Sequence, residues 1–547
     1  MKLNIFLYST LSIFFTSCEL DFLPSDTITN EMFWKTEKDY QLACNALYLS
    51  GLPTYNVRDV YSDIAYGEYP NNISSGTYLP SNDFGPWTNC YKVIATANNI
   101  IENAENNKAG VDESITCRYA GEARFFRALM YYDLLRSYGG VPIVKNLLDI
   151  DSPELYAPRN SREEVTKFIL SDLDVAIEGL PLPSNMKVSD YGRISKTAAL
   201  SLKSRIALYE GTRQKFLEKG EYKSYLQQAK DAALRVIESK EHSLFKSTDG
   251  NFIQNYQQTF LYDAEGATET ILSNRYEKPW RKHNISTQII RTSNSAPTRA
   301  LIDAFLCDDG LPINYSDKFQ GYKTPTSEYK NRDPRMSGTI YVPTEDIFWD
   351  GTIYKPQFGN QQSQTGYSWK KLVVPADAVA LEGDLDYIII RYAEVLLNYA
   401  EATYELSNSI SDSDLDISIN ELRRRVGMPD LTNAFVLGSN PKQVTLDIRQ
   451  ELRRERLVEL AIEGFRYDDL MRWGIAHIEL IKPMFGIPDL RKDYTHISQD
   501  IWNKVVNGFV QIQSADKRVF DKDKHYLWPI PLTQIALNEN LKQNPNW

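Results

Sequence analysis

Apolar and polar residues alternate along this chain in a few distinct ways, and the first is a short apolar run. Leu3 to Phe15 follows Lys2 and leads into Thr16-Ser17-Cys18. At 13 residues the run is too short to span a bilayer as a helix and has the length of the apolar part of a secretion signal. Leu20 to Asn30, with Pro24 and several hydroxyl side chains, reads as a tether. Beyond it apolar positions recur at helical spacing. Thr36-Glu37-Lys38-Asp39 opens a helix through Leu49, and Trp87 to Ala104 forms another.

Three later stretches share a habit: Ile115 to Tyr138, Lys196 to Tyr209 and Ile388 to Leu406. Each sets Ala at close-packing positions with Tyr or Leu three and four residues away, as tetratricopeptide-like helices do. Partner helices are predicted at Glu163 to Glu178, Tyr225 to Ser239 and Ile417 to Val426. The full repeat consensus is absent, so generic helix packing is the plainer alternative. Gly139-Gly140-Val141-Pro142 stops the first of the three abruptly.

Leu446 to Trp473 is the longest uninterrupted run of strong helix formers, with Thr445 as candidate cap and no Gly before Gly464. Leu452, Leu457, Leu460 and Ala461 form its inward stripe. Glu451, Glu455, Glu459 and Glu463 recur every four residues and repel one another, and Arg449, Arg453, Arg454 and Arg456 offset this only in part. Arginines from another helix are expected to meet them. The competing reading, an acid/base pair for glycosidic cleavage, needs carboxyl groups facing each other across a substrate, and neighbours on one helix point the same way.

Between about Asn251 and Asp384 helical periodicity fades into Gly, Pro, Asn, Ser and aromatics. So many Trp and Tyr argue against disorder, and a long irregular region in a compact protein is usually functional. The fold expected is mainly α, with tetratricopeptide-like helix pairs as scaffold and an irregular, loop-rich ligand-binding region.

Composition sharpens this. A net charge of −11 leaves no basic excess for nucleic acid. Most of the 34 Tyr, 22 Phe and 9 Trp are expected in the core, but 34 Tyr exceeds what a core of this size needs, and Tyr suits a wet binding surface. Five Cys and five His show no zinc spacing and no Ser-His-Asp arrangement, and with Cys18 set aside the other Cys read as small buried hydrophobes. Phosphate-loop, Rossmann and H-E-x-x-H motifs are absent. Asp308-Asp309 and Asp412 to Asp416 have the oxygen ligands for Ca2+, although such runs are more often solvated loops. No catalytic residue, metal site or cofactor is assigned.

The string R-x-E-R-x-x-E-L-A-x-E-G-x-R-Y-x-D-L-x-R-W, from Arg453 to Trp473, resembles the signature of the SusD/RagB family of outer-membrane nutrient-binding lipoproteins. The Y-G-G-V-P turn and the closing YLWPIPLTQIALNENLKQNPNW are similar to that family's, so the resemblance covers essentially the whole chain. It implies residues 1–17 as a lipoprotein signal, 18–30 as tether, 31–250 as the N-terminal SusD-like part and 251–547 as the C-terminal SusD/RagB part, in one compact domain. Cys18 would be acylated, with Glu19 and Asp21 resembling a surface-export tag. The implied function is oligosaccharide binding at the cell surface and delivery to a TonB-dependent, SusC-like transporter, without catalysis. A peptide-binding member of the family, a surface glycoside hydrolase and a pure protein scaffold are the alternatives.

Sugar recognition needs flat apolar faces plus planar groups that fork onto neighbouring hydroxyls. Two places offer the mixture. One is the Tyr66 to Trp87 loop, with Tyr78, Asn82, Asp83, Phe84 and Trp87. The other is the irregular insert, with Tyr276, Trp280, Arg281, Trp349, Tyr354, Tyr367 and Trp369. The glycan-binding set expected is Tyr78, Asn82, Asp83, Trp87, Tyr276, Trp280, Trp349 and Trp369.

Overall fold

The computed structural model describes residues 33–55, 58–290, 295–347, 351–359 and 363–547. The expected signal segment, Cys18 and the tether lie outside the described residues, as does Trp349. No described helix is long and apolar enough to cross a membrane.

The chain is mainly α. Helix α1 (Glu37–Gly51) starts at Thr36, whose backbone N and Oγ1 both donate to the Asp39 carboxylate at 2.8 Å. Then follow α2 (Trp87–Asn106), α3 (Glu113–Tyr138), α4 (Arg162–Gly179), α5 (Lys196–Arg213) and α6 (Lys223–Ser239). Neighbours in sequence are neighbours in space through this series, and α6 then packs on α7 (Tyr392–Ser407). This is the expected tetratricopeptide-like stacking. Close approach depends on small residues. A Cβ on Gly179 would stand 2.6 Å from the Cys117 carbonyl oxygen of α3, and one on Gly211 would stand 2.8 Å from Leu226 of α6. Helix α3 ends at Gly139, whose φ of 78° lets its N–H turn back to the Leu135 carbonyl.

Several helix expectations need correction. Ile388 to Arg391 is strand, not helix. It forms most of β4 (Tyr387–Arg391), which pairs antiparallel with β2 (Thr270–Asn274), and α7 begins only at Tyr392. Two further small sheets, β1 (Ala65–Gly67) with β3 (Ser295–Pro297) and the order β5-β7-β6 (Met484–Pro488, Phe509–Gln513, Val505–Val506), lie in or beside the irregular regions. The Ile417 to Val426 helix is shorter, α8 (Ile419–Arg425).

The run from Leu446 to Trp473 is two helices, α9 (Ile448–Glu459) and α10 (Arg466–Arg472). Asp447, not Thr445, caps α9 by accepting from Arg449 N and Gln450 N. The break has a physical cause. The Glu459 carbonyl accepts from Arg391 Nη2 at 2.8 Å, Tyr256 Oη at 2.9 Å and Lys371 Nζ at 3.1 Å. These distant donors replace the next helical N–H, and Ile462 (φ 62°) and Gly464 (φ 82°) turn the chain. Leu452, Leu460 and Ala461 are buried as expected, whereas Leu457 is only half-buried.

The Glu ladder is structural. Glu455 meets Arg423 and Arg335; Glu459 meets Arg335, Arg391 and Arg425; Glu463 meets Arg391 and Lys371. Burial opposes ionisation of Glu459, but Arg425, Arg391 and Arg335 outweigh it and hold the carboxyl well below its usual range. The network joins two cores. One lies among the repeat helices, and the other lies under the irregular insert, around Tyr256, Phe305 and Trp369. The C-terminal segment packs back on the helices, where Asn544 Nδ2 donates to the carbonyls of Tyr138 and Trp528.

Cys44, Cys90 and Cys307 are buried free thiols and Cys117 is an exposed one. The acidic runs serve local structure. Asp308 pairs with Lys318, Asp309 accepts from Ser316, Asp414 accepts from the Ser411 hydroxyl and Asp416 pairs with Arg424. Among the described residues no three acidic, His or Cys side chains converge on a metal position.

Candidate ligand-binding site

A cavity of about 710 Å³ opens where the first helices meet α9 and α10. Helix periodicity supplies its walls. On α3, Leu129, Tyr132, Asp133 and Arg136 fall on one face at spacings of three and four, and on α5 Arg205, Leu208 and Tyr209 do the same. The turn Arg58–Tyr61 adds Arg58 and Tyr61, α10 adds Asp468 and Asp469, and β4 adds Tyr387. Asp59 is not in the lining and fastens the turn by accepting from Gly464 N at 3.0 Å.

The lining combines aromatic faces with planar forks. Arg58 Nη2 donates to Asp468 Oδ1 at 2.7 Å, Arg136 Nη1 reaches Asp468 Oδ2, and Arg136 Nη2 lies 2.8 Å from Asp133. Arg205 grips Glu394 through Nε and Nη2, both at 2.6 Å. Each guanidinium lies over a ring: Arg58 over Tyr467 at 5.8 Å, Arg136 over Tyr132 at 5.3 Å and Arg205 over Phe465 at 5.1 Å. Burial raises the Asp468 pKa, but Arg136 and Arg58 outweigh it and hold the carboxyl below its usual range. Arg58 Nε and Arg136 Nε are buried without a protein acceptor.

The sequence-predicted residues fare unequally. Trp87 is 5% exposed, packed on Tyr91 at 5.2 Å and Tyr138 at 5.3 Å, because it begins the inward stripe of α2. Tyr78 is equally buried, stacked on Phe84 with Trp547 and His525 nearby. Trp369 is fully buried, its indole N–H donating to Ser295 Oγ at 3.1 Å, and Tyr354 and Tyr367 are core as well. None of these presents a face to solvent. The α2 motif is an internal fastener: Tyr91 Oη donates to the Pro142 carbonyl at 2.7 Å, and Asn98 Nδ2 to those of Val144 and Asn146. Asn82 and Asp83 are exposed, two and three residues before Gly85 on the cavity rim.

Trp280 is 86% exposed at the tip of a pinned hairpin. Glu277 and Arg281 exchange both backbone hydrogen bonds at 2.9 Å, and His283 and Gly383 lock the base at 2.8 and 2.9 Å. Tyr276 is half-buried beneath Arg281, 4.6 Å from its guanidinium. Asn274, three residues before the hairpin, donates to the Pro53 carbonyl of the rim at 3.0 Å. That bond ties the strand leading into the hairpin to the rim. Sequence reading missed Arg58, Tyr132, Asp133, Arg136, Arg205, Tyr209 and Asp468. Their only local signal is a stripe mixing aromatics with opposite charges, which packing faces share.

A model of the SusD family matches residues 243–547, more than half of the chain. The chain belongs to the SusD family. A second model, described as starch-binding and associating with the outer membrane, matches residues 57–208. SusD-like protein P38 of Formosa agariphila is 27% identical over 507 residues, which cover 86% of this chain and 91% of that protein. A SusD-like protein of Bacteroides ovatus is 24% identical over 503 residues, 86% of this chain and 83% of its own. The solved structure of a SusD-like carbohydrate binding protein from Bacteroides fragilis superimposes with a TM-score of 0.78 at 26% identity, covering 93% of this chain and 100% of that one.

Proposed function

We propose that this SusD-family protein is an outer-membrane lipoprotein that binds an oligosaccharide at the cell surface and passes it to a TonB-dependent, SusC-like transporter without breaking a bond. The observation that carries the binding step is the cavity, where half-buried Tyr55, Tyr61 and Tyr387 stand beside Arg and Asp forks. The carbohydrate binding relative from Bacteroides fragilis supports the ligand class. The model description that names association with the outer membrane supports the location.

Binding is favoured over hydrolysis by the electrostatics. Glycosidic cleavage needs a carboxyl group kept protonated as general acid. Of the cavity carboxylates, burial works against ionisation of Asp468 and Glu463, but their Arg and Lys partners overcome it and hold both below the usual range. Delivery rests on the family assignment, and tethering beside a transporter makes even weak capture useful through high effective concentration.

The test is a glycan array probed with the purified protein, followed by calorimetry on each hit and product analysis after overnight incubation. We expect micromolar to millimolar binding of a glycan and no new reducing ends. Binding to peptides alone, or turnover of the glycan, would displace this reading.

A further inference from the structure

Resting on the glycan reading, we propose that the cavity receives the end of an uncharged oligosaccharide chain, whose following residues run out past the Trp280 hairpin. Charge comes first. Every ionised side chain of the lining already has a protein partner: Arg58 and Arg136 share Asp468, Arg136 also holds Asp133, and Arg205 holds Glu394. Arg456 and Arg472 clamp Asp469, and Glu463 lies between Lys371 and Arg391. A uronate or sulfate entering this lining meets no uncompensated cation to replace its water, so its desolvation goes unanswered. A sugar hydroxyl does find partners. It needs no counter-charge, and the paired carboxylates of half-buried Asp133 and Glu463 still have lone pairs to accept from.

Shape decides how the chain enters. Among the described residues, the exposed members of the lining are Leu49, Ser50, Thr54, Gly85 and Asn89, all from two segments that form one rim. Tyr132, Leu208 and Tyr209, also in the lining, are 5%, 1% and 3% exposed and form its deep part. A pocket whose exposed lining, among the described residues, lies on these two segments favours a chain end over the middle of a long chain. Its 710 Å³ lies within the range of about 300–1,000 Å³ typical of small-molecule sites, enough for a few sugar units. The Asn274–Pro53 hydrogen bond ties the strand leading into the Trp280 hairpin to that rim, and the exposed indole is the face we assign to the emerging units.

Calorimetry on the whole protein tests this with four neutral series, α-1,4-glucan, β-1,3-glucan, α-1,6-mannan and β-1,4-xylan, as oligosaccharides of three to seven units and as the parent polymers, with oligogalacturonate as the charged comparison. We expect at least one neutral series to bind with one site per chain at every length. At equal sugar concentration its polymer should bind at least ~10-fold more weakly, and oligogalacturonate should not compete. Asn89→Trp, an exposed rim position that can change without disturbing the core, should weaken binding at least ~10-fold, whereas Trp280→Ala should weaken only the longer members. Several sites per long chain, polymer binding equal to that of the oligosaccharides, preference for oligogalacturonate, or an Asn89→Trp variant that binds like the parent would overturn the inference and leave the glycan reading standing. Failure of all four neutral series and of oligogalacturonate would remove the glycan reading and this inference together.

Discussion

Glu459→Gln tests whether the buried network at the end of α9 holds the two cores together. Among the described residues, ten ionised groups are linked there: Lys371, Arg335, Arg391, Arg423 and Arg425 with Glu269, Asp333, Glu455, Glu459 and Glu463. Five cations balance five anions. Glu459 is 0% exposed and takes Arg391 Nη1 at 2.7 Å, Arg425 Nη2 at 2.5 Å and Arg335 Nη1 at 3.0 Å. Gln keeps one acceptor oxygen and nearly the same volume, so packing is preserved while one cation loses its counter-charge. Removing one partner of a buried ion pair costs about 3–5 kcal/mol, and the retained acceptor with four remaining carboxylates places this change near the lower end, about 3 kcal/mol. The assay is urea unfolding at several pH values. The Glu459 carboxyl sits below its unfolded pKa, so its contribution is present above that pKa and is lost as pH falls through the folded one. The parent should therefore converge on the variant in acid. A loss below about 0.5 kcal/mol at neutral pH, or a difference that does not shrink in acid, would refute the argument.

Other outcomes follow from single residues. Cys18→Ala should release the protein from the membrane fraction and abolish fatty-acid labelling, and a mutant still labelled and still in outer membranes would contradict the lipoprotein reading. Trp280→Ala should leave unfolding free energy within about 0.5 kcal/mol, since the indole is 86% exposed, while weakening binding of the longer oligosaccharides by about tenfold. Asp59→Asn should have a pH-dependent effect. Burial pushes the Asp59 carboxyl up to about 6, so its unfavourable ionisation builds as pH rises through that value. The substitution should stabilise the protein by up to about 2 kcal/mol at pH 8 and by nothing at pH 4, a contrast that parallel melts at the two pH values will read.

What the sequence made legible depends on whether the cause is local. Helices α1 to α6 follow from apolar spacing and caps within a few residues, and the Gly139 stop follows from a backbone need that glycine meets. The division of Leu446–Trp473 does not, because the donors that end α9 come from Tyr256, Lys371 and Arg391, far along the chain. Exposure of an aromatic is likewise a property of its surroundings. Trp87 and Trp280 carry the same ring, yet one starts an inward stripe and the other crowns a hairpin. The cavity was the hardest to foresee for a further reason. Tyr132, Asp133 and Arg136 look in sequence like one more packing face with an i,i+3 ion pair, and their pairing is real. What separates them from the Glu459 network is spatial: around Glu459 three guanidiniums converge on one carboxylate, whereas Arg58 and Arg136 line open volume. Open volume beside a charged stripe is a property of the assembled helices, so no spacing along the chain reports it.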